Sequence, residues 1–211
     1  LDLATPLQRF VIEDGRLYLT RFWSLERYVA ADLLHRSQAA TVEEEQQISD
    51  GVLPSERSAE DEVKRLFIKA AGAGQVDEDQ LAASLAGVHR NFVVISGGPG
   101  TGKTTTVATF LAGLVSSMQP PAGSGSSSTN QATQRIALAA PTGKAAARMT
   151  EAIRKAINNL GGALDPEVAK ELGELDASTI HRLLGASPGT GFRHNPSNPL
   201  PHDIVIVDEV S

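Results

Sequence analysis

Two kinds of apolar spacing alternate along this chain. Three short runs are apolar at every position: Phe92-Val93-Val94-Ile95, Ile136-Ala137-Leu138-Ala139-Ala140 and Ile204-Val205-Ile206-Val207. Unbroken runs of this length suit strands buried on both faces of a parallel sheet. Elsewhere apolar residues recur three and four positions apart, which is the stripe of an amphipathic helix. Residues 104–115 carry Val107, Phe110, Leu111, Leu114 and Val115, and residues 145–160 carry Ala145, Met149, Ala152, Ile153 and Ile157. Strands alternating with helices predict an α/β fold, a parallel sheet with right-handed crossovers. Ligands in such sheets lie outside the carboxyl ends of the strands.

The first third reads differently. Residues 10–19 predict a hairpin, with Asp14-Gly15 as a two-residue turn between apolar runs. Thr20 can cap a helix to about residue 37, with Leu25, Tyr28, Val29 and Leu33 on one face. Ser58 and Asp61 form a capping-box pattern for a helix ending near residue 71, with Val63, Leu66, Phe67 and Ala70 inward. These pieces predict a small, mainly helical accessory domain with a β-hairpin over 1–75, followed by the sheet domain over 76–211. Asp77 caps a further helix, with Gln80 at its third position. Residues 119–134 are rich in Gly, Ser and Pro and predict a loose surface insertion. Asp165-Pro166 starts a short helix. Another short helix is expected over 178–184, then a loop or loose hairpin over 185–202.

Between the first apolar run and the helix after it stands Gly97-Gly98-Pro99-Gly100-Thr101-Gly102-Lys103-Thr104-Thr105. This contains the phosphate-cradling pattern G-x-x-x-x-G-K-[ST], in the strand–loop–helix context that the pattern needs. The glycines let backbone approach phosphate oxygens closely. Loop N–H groups and the positive end of the helix hold the anion. Lys103 is expected on the β/γ-phosphates of ATP, and the Thr104 hydroxyl on Mg²⁺. The third apolar run ends in Asp208-Glu209. An acidic pair after a strand is in isolation a helix cap; with the phosphate loop upstream, Asp208 is expected to hold Mg²⁺ and Glu209 to activate water.

Further candidates carry two readings each. Pro141, Thr142, Gly143, Lys144 and Arg148 follow the second run. They suit either a nucleic-acid phosphate or a capped helix with solvated basic residues. Gln80 could read an adenine edge or complete a capping box. His181 is either a packed structural histidine or a functional one.

Net charge is −6, with no cysteine. Residues 1–90 hold ten Lys/Arg against sixteen Asp/Glu, and the remainder nine of each. A basic footprint for nucleic acid is thus absent globally, and any such contact must be local. No apolar run approaches the ~20 residues of a membrane span. A cytoplasmic location with no membrane partner is expected.

Taken together, SGGPGTGKTTTV, LAAPTGKAAARMTEA, ASTIHRLLGA and IVIVDEVS closely resemble the RecD (alpha) subunits of bacterial exonuclease V, the RecBCD complex. DGRLYLTRFWSLERYVA resembles their amino-terminal part. The resemblance implies a P-loop NTPase (RecA-like) domain of a superfamily 1B helicase, moving 5′ to 3′ on single-stranded DNA. It implies other subunits of a RecBCD-type complex as partners, with the amino-terminal part docking on them. It places Gln80 on adenine, although Asp79 precedes it where relatives usually carry an aromatic. Gly97 to Thr104 match motif I, and Asp208 and Glu209 match motif II. Pro141, Thr142, Lys144 and Arg148 match the DNA-contacting motif Ia, and Thr179 and His181 match a T-x-H element near the DNA channel. Three apolar runs are fewer than a complete RecA-like sheet, so the chain is expected to be a fragment of a longer protein. The alternative is an assembly or nucleotide-binding module with little catalysis of its own.

Overall fold

A computed structural model describes residues 9–38, 56–72, 74–98, 100–118, 135–187, 189 and 191–209. The insertion expected over 119–134 lies outside the described residues, as does Pro99. The chain divides into two compact units. The first comprises Leu1–Asp50 with Arg90–Val94, and the second Gly51–His89 with Ile95–Ser211.

In the first unit, β1 (Phe10–Glu13) and β2 (Arg16–Leu19) pair as an antiparallel hairpin. Asp14 and Gly15 both take positive φ at its turn, as a two-residue hairpin loop requires. Helix α1 (Thr20–Gln38) follows directly. Glu13 ties the two together, accepting from Trp23 Nε1 at 2.9 Å and from Arg27 at 2.8 Å. Among the described residues of this unit most apolar side chains stay exposed, including Phe10, Ile12, Leu17, Phe22 and Leu34.

The second unit holds α2 (Glu56–Ala71), α3 (Glu78–His89), α4 (Lys103–Ser117), β3 (Ile136–Ala140) and α5 (Gly143–Leu160). After a 3-10 turn at Gly161–Ala163 come α6 (Pro166–Gly173), β4 (Ala177–Thr179) and α7 (Ile180–Leu183). A small hairpin of β5 (Ala186–Ser187) and β6 (Gly191–Phe192) precedes β7 (Ile204–Val207). The sheet is parallel, in the order β4-β3-β7. Strand β3 is buried along its whole length, as its unbroken apolar run requires. The core gathers Leu66 of α2, Leu111 and Val115 of α4, Leu138 of β3, Ile153 and Ile157 of α5, and Leu172 of α6. Each such side chain contributes about 1.5–3 kcal/mol by leaving water.

Five expectations are corrected. Phe92-Val93-Val94-Ile95 joins no described ladder, and Val94 is 72% exposed. An apolar run becomes a strand only where a neighbour satisfies its N–H and C=O groups, and among the described residues no strand pairs with this one, the sheet ending at β4 and β7. Residues 177–179, expected mostly within a helix, form the third strand instead. Their partner is Leu138–Ala140 rather than the next turn of helix. Strand β7 is not buried on both faces, since Val205 and Val207 are exposed at the outside of the described sheet. Helix α2 begins two residues before Ser58, and Ala70, in the last turn, faces solvent although it continues the inward stripe of Ala59, Val63, Leu66 and Phe67.

The compact units also divide the chain differently from the expected 1–75 and 76–211. Helix α2 belongs with the sheet because it lies against α4. A Cβ on Gly113 would stand 2.5 Å from Val63 Cγ2 and 2.9 Å from Val63 N. The two backbones meet only because Gly113 has no side chain.

Candidate nucleotide and nucleic-acid site

Three local structures build the phosphate loop. Helix α4 starts at Lys103, with Gly102 as its N-cap at φ 82°, a left-handed conformation that glycine adopts without cost. No side chain caps this end. The first intrahelical bond runs from Thr106 N–H to Gly102 C=O. The N–H groups of the first turn therefore remain for an external acceptor. Upstream, Thr101 donates its hydroxyl to Gly98 C=O at 2.9 Å and closes the loop. A Cβ on Gly97 would meet Thr101 Oγ1 at 2.6 Å. Lys103 folds back over the loop and donates from Nζ to Gly97 C=O at 2.6 Å and Gly98 C=O at 2.8 Å.

Helix α3 supports the loop from the other side. Asp77 caps it, accepting from Gln80 N–H at 3.0 Å, and its second oxygen accepts from Gln80 Nε2 at 2.9 Å. The Asp77 cap is thus realised, but Gln80 donates to the Asp77 carboxylate instead of accepting from its N–H, so only half of the capping box forms. The same side chain also lies on the loop: a Cβ on Gly102 would meet Gln80 Nε2 at 2.6 Å. Deeper along the contact, buried Ser84 donates to Thr106 C=O at 3.1 Å.

The second set of candidates stands at the carboxyl ends of the sheet strands. Ala140 pairs with Thr179, Ala139 pairs with Val207, and Asp208 N–H still donates to Ala139 C=O at 2.9 Å. Pro141 and Thr142, Thr179, and Asp208 with Glu209 therefore leave the sheet along one edge. Thr142 Oγ1 caps α5 by accepting from Ala145 N–H, and Thr179 Oγ1 caps α7 by accepting from Arg182 N–H, each at 3.2 Å. Each hydroxyl hydrogen stays available as a donor. Lys144 and Arg148 are exposed four residues apart on α5, and neither is in an ion pair among the described residues. A cavity of about 400 Å³ lies between α5 and the end of β4, lined among others by Gly143, Thr150, Ser178, Thr179 and Arg182 but by neither Lys144 nor Arg148. His181 is exposed, and its ring lies 6.0 Å from that of Phe192.

The acidic pair has its own geometry. Glu209 takes φ 53°, uncommon for a residue other than glycine, and its N–H donates to Asp208 Oδ1 at 2.9 Å. The structure thus joins Gln80, Gly97, Gly98, Thr101, Gly102 and Lys103 in one site, and aligns the strand-end residues in another. No described ladder links the two. Phe192 and Ser84 are contributors that the sequence reading passed over. Phe192 lay in a stretch read as a loop or loose hairpin without a site, although an aromatic among Gly, Pro and Asn was itself a signal.

The donor set fits a nucleotide with a divalent cation. An uncapped helix end, a lysine held only by carbonyls, and glycines at closely approached positions match a polyphosphate. The Thr104 hydroxyl has no hydrogen bond among the described residues. It and the Asp208 carboxylate are hard oxygen donors of the kind Mg²⁺ takes.

Comparison with known proteins agrees. The AAA domain family matches residues 80–211. The RecBCD enzyme subunit RecD of Mycobacterium tuberculosis is 42% identical over 210 residues, 99% of this chain and 31% of that protein. Its counterpart in Mycolicibacterium smegmatis is 43% identical over 197 residues, 92% of this chain and 30% of that protein. The ATP-dependent RecD2 DNA helicase of Deinococcus radiodurans is 35% identical over 198 residues, 94% of this chain and 20% of that protein. The chain spans about a third or less of the length of these relatives.

Proposed function

The chain belongs to the AAA domain family, with the P-loop NTPase fold that membership implies, and on that premise we propose that it is the nucleotide-binding segment of an ATP-dependent 5′-to-3′ DNA helicase subunit. The subunit works within a RecBCD-type exonuclease in double-strand-break repair. The observation that carries this reading is the open first turn of α4 beneath a glycine loop, with Lys103 folded across it. Similarity to relatives named RecBCD enzyme subunit RecD and ATP-dependent RecD2 DNA helicase supports the assembly and the helicase activity, and the direction rests on the motif resemblance alone.

Bound ATP with Mg²⁺ supplies a γ-phosphoryl group for transfer to water. Lys103 Nζ exchanges the Gly97 and Gly98 carbonyls for phosphate oxygens, which draw it more strongly because they are charged. The Lys103, Thr104 and Thr105 N–H groups take the anion at the helix end. Gly97, Gly98, Pro99, Gly100, Thr101 and Gly102 wrap the phosphates. Thr104 and Asp208 would hold the cation, and a Glu209 carboxylate oxygen would take the proton of the attacking water. Gln80 turns its free acceptor capacity to the adenine edge. Pro141, Thr142, Lys144, Arg148, Thr179 and His181 track the backbone of single-stranded DNA.

Residues 1–75 are read as the part that docks on partner subunits. The exposed apolar side chains of the hairpin and α1 favour a second reading, an assembly module that binds nucleotide with little catalysis. Removing residues 1–50, which leaves α2 in place, separates docking from turnover. The location proposed is cytoplasmic; among the described residues, no helix is long and apolar enough to cross a membrane. The direct test is unwinding by the full-length protein that carries this segment. A duplex with a 5′ single-stranded tail should open in an ATP-dependent way, and Lys103→Ala should abolish opening. Unwinding confined to 3′-tailed duplexes would contradict the assigned direction.

A further inference from the structure

Asp77 offers more acceptor than a helix cap uses. Its C=O accepts from Leu81 N–H at 3.0 Å, the first intrahelical bond of α3, and one carboxylate oxygen accepts from Gln80 N–H at 3.0 Å. A serine or threonine would supply that much with a single side-chain oxygen. The second carboxylate oxygen of Asp77 accepts from Gln80 Nε2 at 2.9 Å. It therefore acts on the side chain that lies against the phosphate loop.

The charge of Asp77 decides which end of the Gln80 amide turns toward it. A carboxylate only accepts, so the NH2 group must face Asp77 and the carbonyl must face away. Nε2 makes a second, longer donation to Thr101 C=O at 3.5 Å. Both amide hydrogens are thereby directed into the protein. A Cβ on Gly102 would stand 2.6 Å from Nε2, 3.0 Å from Cδ and 3.1 Å from Oε1, so the whole amide lies against that glycine. Asp77, Thr101 and Gly102 hold the amide before any ligand arrives, and Oε1 is left without a hydrogen bond among the described residues.

A fixed lone acceptor selects what approaches it. Adenine presents its C6 amine, a donor, where a 6-oxopurine presents O6, a second acceptor. Two acceptors brought together leave both unsatisfied, and that is costly away from water. Helix α3 carries no Phe, Tyr or Trp, so selection by this helix falls to hydrogen bonding rather than stacking.

We propose that Asp77 is a positioning residue for base selection: it holds the Gln80 amide with Oε1 outward, so that the nucleotide site takes a purine with an amine at C6 and rejects a 6-oxopurine. Gln80 touches the base, and Asp77 acts through Gln80. This inference rests on the ATP reading given above and adds the origin of its selectivity.

The experiment measures equilibrium binding of ADP, IDP and pyrophosphate, each with Mg²⁺, to the full-length protein by isothermal titration calorimetry. IDP carries O6 in place of the C6 amine, and pyrophosphate carries no base. The wild type should favour ADP over IDP on the order of tenfold. Asp77→Asn keeps the cap, but its own NH2 group can donate to Gln80 Oε1 and let the amide turn over. Asp77→Ser keeps the cap and removes the second oxygen. Each should reduce the ADP preference severalfold and leave pyrophosphate binding unchanged, and Gln80→Ala should remove the preference. A wild-type preference retained in both Asp77 variants but lost in Gln80→Ala would overturn the role of Asp77 and leave base reading by Gln80 standing. Equal weakening of all three ligands by both Asp77 variants would show a role in loop structure alone, and would also overturn it. A wild type that binds ADP and IDP equally would overturn base selection while nucleotide binding stands. One that binds none of the three would overturn the nucleotide reading, and this inference with it.

Discussion

Lys103 donates to neutral carbonyls of the loop it closes over, and a charged phosphate oxygen is a stronger acceptor than either. Removing its charge should cost at least about a hundredfold in ATP turnover, the scale of losing one preorganised donor at a developing charge. Steady-state phosphate release by Lys103→Ala checks this. Glu209→Gln should separate binding from chemistry: ATP affinity near wild type, turnover nearly abolished. A Glu209→Gln protein that hydrolyses ATP at the wild-type rate would remove Glu209 from its assigned role. Gly102 is constrained twice, by φ 82° and by Gln80 Nε2, which would stand 2.6 Å from any Cβ added there. Gly102→Ala should therefore weaken ATP binding, measured calorimetrically. Adding Gln80→Ala should recover only part of the loss, because the left-handed backbone still disfavours a side chain.

At the scale of elements, the unexpected joint is α2 on α4. Gly113→Ala must displace Val63, which should cost about 1–3 kcal/mol of overpacking against at most about 1 kcal/mol of gained helix propensity. Denaturant unfolding should show a net loss, and an unchanged midpoint would contradict the close contact. Acid should loosen the same helix. Lys64 donates to Glu60 and holds its carboxyl below the ordinary carboxylate range, with His89 of α3 adding to the effect. A depressed folded value means stability present above the ordinary carboxylate range and lost as pH falls through and below it. Glu60→Gln should flatten that part of the acid-unfolding curve. The elements themselves were largely legible. Asp14-Gly15, the Asp165-Pro166 start and the stripes of α4 and α5 are set by local rules, and each appears where those rules place it. Phe92-Val93-Val94-Ile95 and β4 were not, because strand identity depends on a partner far away in sequence. Ala177–Thr179 is short and polar, yet it is a strand because β3 offers it an edge.

For the whole molecule, the sheet edge and the phosphate loop supply two groups of candidate functional atoms. The loop was legible because phosphate chemistry demands glycine, lysine and threonine at fixed spacing. The strand-end set was legible only through its resemblance to helicases, since Thr142 and Thr179 both serve as ordinary helix caps. The contact of Phe192 with the ring of His181, eleven residues earlier, was not legible because it exists only in the folded hairpin. If the two groups belong to one motor, DNA must alter what happens at Lys103. The most direct measurement is ATP hydrolysis by the full-length protein with and without single-stranded DNA, compared between wild type and Lys144→Ala/Arg148→Ala. Strong stimulation in the wild type, and its loss with unstimulated turnover retained in the double variant, is the result this account predicts. Turnover indifferent to DNA in the wild type would contradict it.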